Sequence, residues 1–285
     1  MTLAAELAAA TLDKVRDGLP VAAHRSGVSA IGRTCSAAMS RKDQTLVEAL
    51  LPTEVPSLPV TEPDALAGAA VVGASAHRAL DCQGAPAPPC ACAVVAAALA
   101  TSRRHDVPGS TLINAAACGI EVQLRLAGAM SPTHESEGWR PVGTVGPIGA
   151  AVAASLVLGS TVEQLANAIG ISTSLSLGQG VLIGPAAAIH AGKAAANGVL
   201  AAHLARSDFS ASATAIEGPR GFFAVIAPSA DPTFVLADLG KRWLLTEHSP
   251  MSSPAMPPAL DAYISELASA PSVQPLLDVL RGRQE

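Results

Sequence analysis

Ala186-Ala-Ala-Ile-His190-Ala-Gly-Lys193-Ala-Ala-Ala-Asn-Gly198-Val-Leu-Ala-Ala-His203-Leu-Ala-Arg206 is the stretch that decides the fold class. It is Ala-rich, contains no proline and shows no period-two alternation, so it predicts one long helix over 186–206, closed by a turn near Ser207 and Asp208. The rest of the chain has the same character. About half of its 285 residues are apolar but only 2% are aromatic, so the core must be built from Ala, Leu, Val and Ile. Such small side chains let helices approach closely.

Working outward, a helix is predicted from Thr2 to about Asp17, with Leu3, Leu7, Leu12 and Val15 on one stripe and Gly18 and Pro20 closing it. The proline-rich stretch Leu51–Pro63 is a connector, and an apolar helix starts at Pro63-Asp64 and runs through Ala79. Gly84 to Pro89 breaks the chain again. Helical patterns resume over Cys90–Ser102, Ser110–Ala129, Gly146–Leu158 and Val162–Ile171. Ser160-Thr-Val-Glu163 has the form of a capping box. A short segment runs to Ile216, and Ala259–Leu267 and Val273–Arg281 are predicted to close the chain. No series of alternating strands with hairpin turns occurs, so the predicted class is all-α. A single helical domain over 1–285 is expected.

Composition excludes several function classes. A net charge of −5, with 18 basic residues in no long run, leaves no footprint for nucleic acid or for an anionic membrane surface. No apolar run reaches the roughly 18 residues of a membrane span, and the N-terminus lacks the pattern of a signal peptide. The five cysteines are odd in number, and Cys90-Ala-Cys92 is too awkwardly spaced for a disulfide framework. A reducing, cytoplasmic setting is expected. Two cysteines with no close histidine in sequence fall short of a four-ligand zinc site, so no metal is expected. No Ser-centred elbow, P-loop or Rossmann fingerprint is present.

Four ordered motifs resemble the MmgE/PrpD family, which includes 2-methylcitrate dehydratase, cis-aconitate decarboxylase and iminodisuccinate epimerase. They are Ala76-His77-Arg78-Ala79-Leu80-Asp81 with Ala93–Leu99 after it, Gly138-Trp-Arg-Pro-Val-Gly-Thr-Val-Gly146, Ile189-His190-Ala-Gly192, and Glu217-Gly-Pro-Arg-Gly-Phe-Phe223. The resemblance implies a helical domain followed by an α/β lid. Thr246-Glu-His248-Ser-Pro and Pro257–Ala262 resemble the beginning of that lid. Residues 248–285 are therefore expected to be a remnant of it plus closing helices, with most of the lid absent. The resemblance also implies a homodimer, no organic cofactor, and removal of a proton or carboxylate next to a carboxylate.

The stretch that carries acid and base residues in the family is depleted here: Asp81 is followed by Cys82, Gln83, Gly84 and Ala85. Asp81 matches a family aspartate beside the substrate pocket. Arg140 stands where the family has a histidine; it can clamp a carboxylate but is a poor base. Thr144 and the amides near Gly146 precede a helix, a place suited to an anionic group. A family lysine falls on Ala187, while His190 is retained with Lys193 one turn below. His248 takes the place of another family lysine and titrates near neutral pH. The expected catalytic residues are Asp81, His190 and His248, and the expected substrate-binding residues are Arg140, Thr144 and Gly146. Cys90 is a reserve nucleophile. Each has a plainer alternative: a solvated helix end for Asp81, a surface arginine for Arg140, a hydrogen-bonded structural histidine for His190.

Two functions remain open from sequence. One is a repurposed, cofactor-independent lyase, isomerase or cyclase acting on a small, relatively apolar carboxylate or carbonyl-containing biosynthetic intermediate. The other is a non-catalytic scaffold that binds a partner.

Overall fold

The computed structural model describes residues 2–40, 63–79, 91–181, 184–247 and 255–280, and among these it is all-α with no strand. The principal helices are α1 (Leu3–Asp17), α2 (Val21–Met39), α3 (Pro63–Ala79), α4 (Cys92–Ser102), α5 (Gly109–Met130), α6 (Gly146–Val157), α7 (Val162–Ser174), α8 (Ala188–Arg206), α9 (Pro258–Glu266) and α10 (Gln274–Leu280). Single turns of helix lie between them, including Gly184–Ala187 ahead of α8 and Phe222–Ile226 after it.

Burial follows from which helices have no polar face. Every residue of α4 and of α6 is buried, the arrangement expected of helices that are apolar all round. The few hydroxyls in α4 are satisfied internally: Thr101 and Ser102 donate to the carbonyls of Ala97 and Ala98 one turn back. Around this pair pack α3, α5, α7 and α8, with α8 lying against both α3 and α6. The closing helices join the same core, Leu260 and Ile264 of α9 packing with Ile31 of α2 and Leu112 of α5.

Two features differ from the sequence reading. Helix α2 was not anticipated, because Pro20 looked like a terminator. It is instead the residue ahead of the first turn of α2, where a missing N–H costs nothing. The capping box lies one residue later than expected: Thr161 Oγ1 accepts from the amide of Gln164 at 3.2 Å, and the Thr161 amide donates to Gln164 Oε1 at 3.1 Å. Ser160 belongs to the preceding turn, its N–H donating to Ser155 O. The short segment toward Ile216 forms turns, and Ile216 itself is fully buried.

A buried ion pair fixes the segment after α8. Arg125 Nε donates to Glu121 Oε1 at 2.7 Å, and the guanidinium also donates to the carbonyls of Val235, Ala237 and Arg242. The other Glu121 oxygen accepts from the Leu245 amide at 2.9 Å. Both charges are thus paired and hydrogen-bonded, the condition on which burial of charge is tolerated.

Candidate active site

The site is built where α3 crosses α8. A Cβ at Gly73 would lie 2.9 Å from the carbonyl oxygen of Ala191, and one at Gly192 would lie 2.6 Å from that of Ala70. Only hydrogen at both positions permits this approach. His77 follows Gly73 by one turn and is therefore carried to the start of α8, where His190 sits. His77 is 4% exposed and His190 9%.

His77 meets α4 as well. Its Nδ1 lies 4.0 Å from Cys92 Sγ, at the outer limit of a hydrogen bond to sulfur. Ala37, Ala76, Cys92, Val142 and Ala191 form a small apolar cluster around this contact. A histidine close to a cysteine was absent from the sequence reading, since the two are 15 positions apart and on different helices. Among the described residues no group of three metal-ligating side chains converges.

The other wall is a pair of short segments, one of which continues into the helical turn Pro141–Thr144. A single antiparallel bridge joins Trp139 and Gln179, flanked by bonds in which Arg140 N–H donates to Gly178 O at 2.8 Å, Gly180 N–H to Gly138 O at 2.6 Å and Leu177 N–H to Gly143 O at 3.0 Å. The segments touch at Gly143, where a Cβ would come within 2.6 Å of the Gly178 Cα. This pairing aims the Gln179 carbonyl at His190 Nε2, 3.2 Å away.

A carbonyl can only accept, so Nε2 carries the proton and Nδ1 keeps its lone pair. Burial lowers the His190 pKa below the ordinary imidazole range; the Gln179 bond opposes the shift, and the neighbouring His77 imidazole, Lys193 and Arg140 reinforce it. His190 is therefore a neutral base at neutral pH. Arg140, half-buried, and Lys193, exposed, supply the positive field beside it.

Thr144 and Gly146 lie in the turn between Arg140 and the start of α6. Thr144 is fully buried, and both its amide and its hydroxyl donate to Arg140 O, at 3.2 and 3.3 Å. The Val145 amide is taken by Pro141 O. Gly146 is buried where a Cβ would lie 3.1 Å from that of Ala194. Both donors of Thr144 are thus directed at the Arg140 carbonyl, and Gly146 packs against α8. Asp81, Cys90 and His248 lie outside the described residues. The structure thus brings together His190, Arg140 and Lys193 and adds His77 and Cys92. The quoted flank Ala76-His77 and the Cys90-Ala-Cys92 pair contained these two, but only the helix crossing shows that they meet.

The family model for the MmgE/PrpD N-terminal domain matches residues 21–235. No curated protein matches the chain.

Proposed function

The chain belongs to the MmgE/PrpD family, which includes dehydratase- and lyase-type enzymes, and from that premise we propose that it is a cofactor-independent lyase, isomerase or cyclase. Its substrate in this reading is a small, relatively apolar carboxylate or carbonyl-containing biosynthetic intermediate. The observation that supports it is the state of His190: tautomer fixed by Gln179 O, lone pair on Nδ1, and basicity held down by burial beside Arg140 and Lys193.

In this mechanism His190 Nδ1 removes a proton next to a carbonyl or carboxylate, and Arg140 and Lys193 stabilise the negative charge that develops on oxygen. Asp81 and His248 share the proton-transfer role, Arg140 clamps the anionic group, and Thr144 and Gly146 shape the turn that presents it. The reading includes a reducing cytoplasm, in keeping with the buried cysteines Cys35 and Cys118, which are in no disulfide. It also takes residues 258–280 as part of one helical domain, in line with the packing of α9 on α2.

Untargeted comparison of metabolites with and without the protein identifies the substrate. With it in hand, His190→Asn is expected to lower turnover by about two to four orders of magnitude, the scale of a lost general base, and Arg140→Ala to act chiefly on KM. Full activity in both variants overturns the assignment.

One observation favours a second reading, a non-catalytic member that binds a partner or a second copy of itself. Leu177, Val181 and Ile189 stand out into solvent around the loop that holds His190, Val181 by 83%, and clustered apolar exposure marks interaction surfaces. Blank metabolite comparisons together with a stoichiometric partner, or a dimer lost on Val181→Asp, would establish it in place of the enzyme.

A further inference from the structure

The Glu217-Gly-Pro-Arg-Gly-Phe-Phe223 turn has no part in the His190 site, yet it frames a groove of its own. The groove lies between the C-terminal turns of α7 and residues 210–226, with a volume of 780 Å³, within the range of about 300–1,000 Å³ usual for small-molecule sites. No residue that lines it belongs to the His190 cluster.

Its chemistry is divided. Phe222, Val225 and Ile226 give an apolar side, and Ile171 meets them from α7. Thr173 and Ser176 turn their hydroxyls back to the carbonyls of Gly170 and Ser172, and Ser174 and Ser210 line the groove beside them. Arg220 is the sole charged residue in the lining, and no carboxylate accompanies it. The nearest in sequence, Glu217, is not among the lining residues, and its Oε1 accepts from the Leu3 amide at 3.2 Å, at the start of α1. The two walls are held in contact where a Cβ on Gly170 would come within 2.5 Å of the Ala211 Cβ. An exposed cation beside an apolar surface, with no counter-charge in the groove, is complementary to an anion with an apolar body.

We propose that this groove binds a small organic carboxylate, its head on Arg220 and its hydrocarbon body over Phe222, Val225 and Ile226. The site is separate from the proposed reaction centre and does not depend on it.

Octanoate titrated into the isotopically labelled full chain tests this by amide chemical shift. Saturable shifts are expected at Gly170, Gly218 and Gly221. Octan-1-ol and acetate, each lacking one half of the recognition, are expected to bind at least about tenfold more weakly, as is octanoate to Arg220→Ala, the loss of one charge-assisted contact. Val225→Asp should weaken octanoate as well. Both substitutions are at exposed positions, so the fold is retained. His190→Asn should leave octanoate binding unchanged, which separates this site from the proposed reaction. Absence of a saturable shift, shifts centred away from the groove, equal binding of octan-1-ol, or undiminished binding by Arg220→Ala overturns the proposal.

Discussion

Gly73 lies so close to Ala191 that a methyl group on the glycine would sit 2.9 Å from the alanine's carbonyl oxygen. That contact sets the spacing of α3 and α8, and with it the approach of His77 to His190.

Substitution at Gly73 therefore sets two effects against each other. Alanine is favoured over glycine in a helix by about 1 kcal/mol, but here its Cβ meets backbone that cannot rotate away. The clash should prevail, so Gly73→Ala is expected to destabilise by about 1–3 kcal/mol. Gly68, on the same helix, is the control: a Cβ there would meet the far end of the flexible Arg103 side chain at 3.2 Å and the Ala100 Cβ at an ordinary 4.0 Å. Gly68→Ala should be neutral or stabilising by up to about 1 kcal/mol. Urea midpoints of the two variants decide the matter.

His190 is expected to titrate below the ordinary imidazole range, with its proton on Nε2 in the neutral form. Burial is the main cause, so removing one neighbouring charge with Lys193→Met or Arg140→Met should raise the pKa only modestly. Nitrogen-15 NMR of the imidazole reads both tautomer and titration. A midpoint at or above about 6.5, the unperturbed value, would contradict the role of burial.

Arg125 and Glu121 should behave as a unit. Arg125→Met leaves a buried carboxylate without its partner, at a cost of about 3–5 kcal/mol. Arg125→Lys retains the charge but not the planar fork that reaches the carbonyls of Val235, Ala237 and Arg242, so it should recover little of the loss. Thermal or urea unfolding measures both, and near wild-type stability in either variant would count against the clamp.

His134 gives the protein an acid-sensitive point. It is 2% exposed and stacked on Trp139, with ring centroids 6.4 Å apart and planes at 15°. Burial pushes its pKa down to about 4. Between about pH 4 and 6.5 the unfolded chain binds this proton and the folded chain does not, so stability is full above that window and falls as pH drops through it. The shift corresponds to about 3 kcal/mol. His134→Phe keeps a ring against Trp139 and removes the titration, so its urea midpoint should change less between pH 7 and pH 4.5 than that of the parent.

Helix α8 was legible because its alanines, uninterrupted by proline, permit little else, and α3 because Pro63 marks its start. The capping box was read one residue early because Ser160-Thr161 and Glu163-Gln164 satisfy the same spacing in two registers. Only the backbone bond from Ser160 to Ser155, closing the previous helix, chooses between them. Helix α2 was hidden by Pro20, since a proline ends one helix or begins the next with the same local signal.

For the candidate site, residue type by itself determined which groups could do chemistry: His190 as a base and Arg140 as a permanent cation. Residue type and motif order also fixed the all-α class and the family. Which groups share a surrounding was decided by tertiary structure. His77 reaches Cys92 and the His190 cluster because two glycines let α3 and α8 close on each other, and the Gln179 carbonyl reaches His190 because residues 138–143 pair with 177–180. Both are long-range contacts between backbones, set by how closely two segments can approach, and no local pattern of side chains encodes that distance.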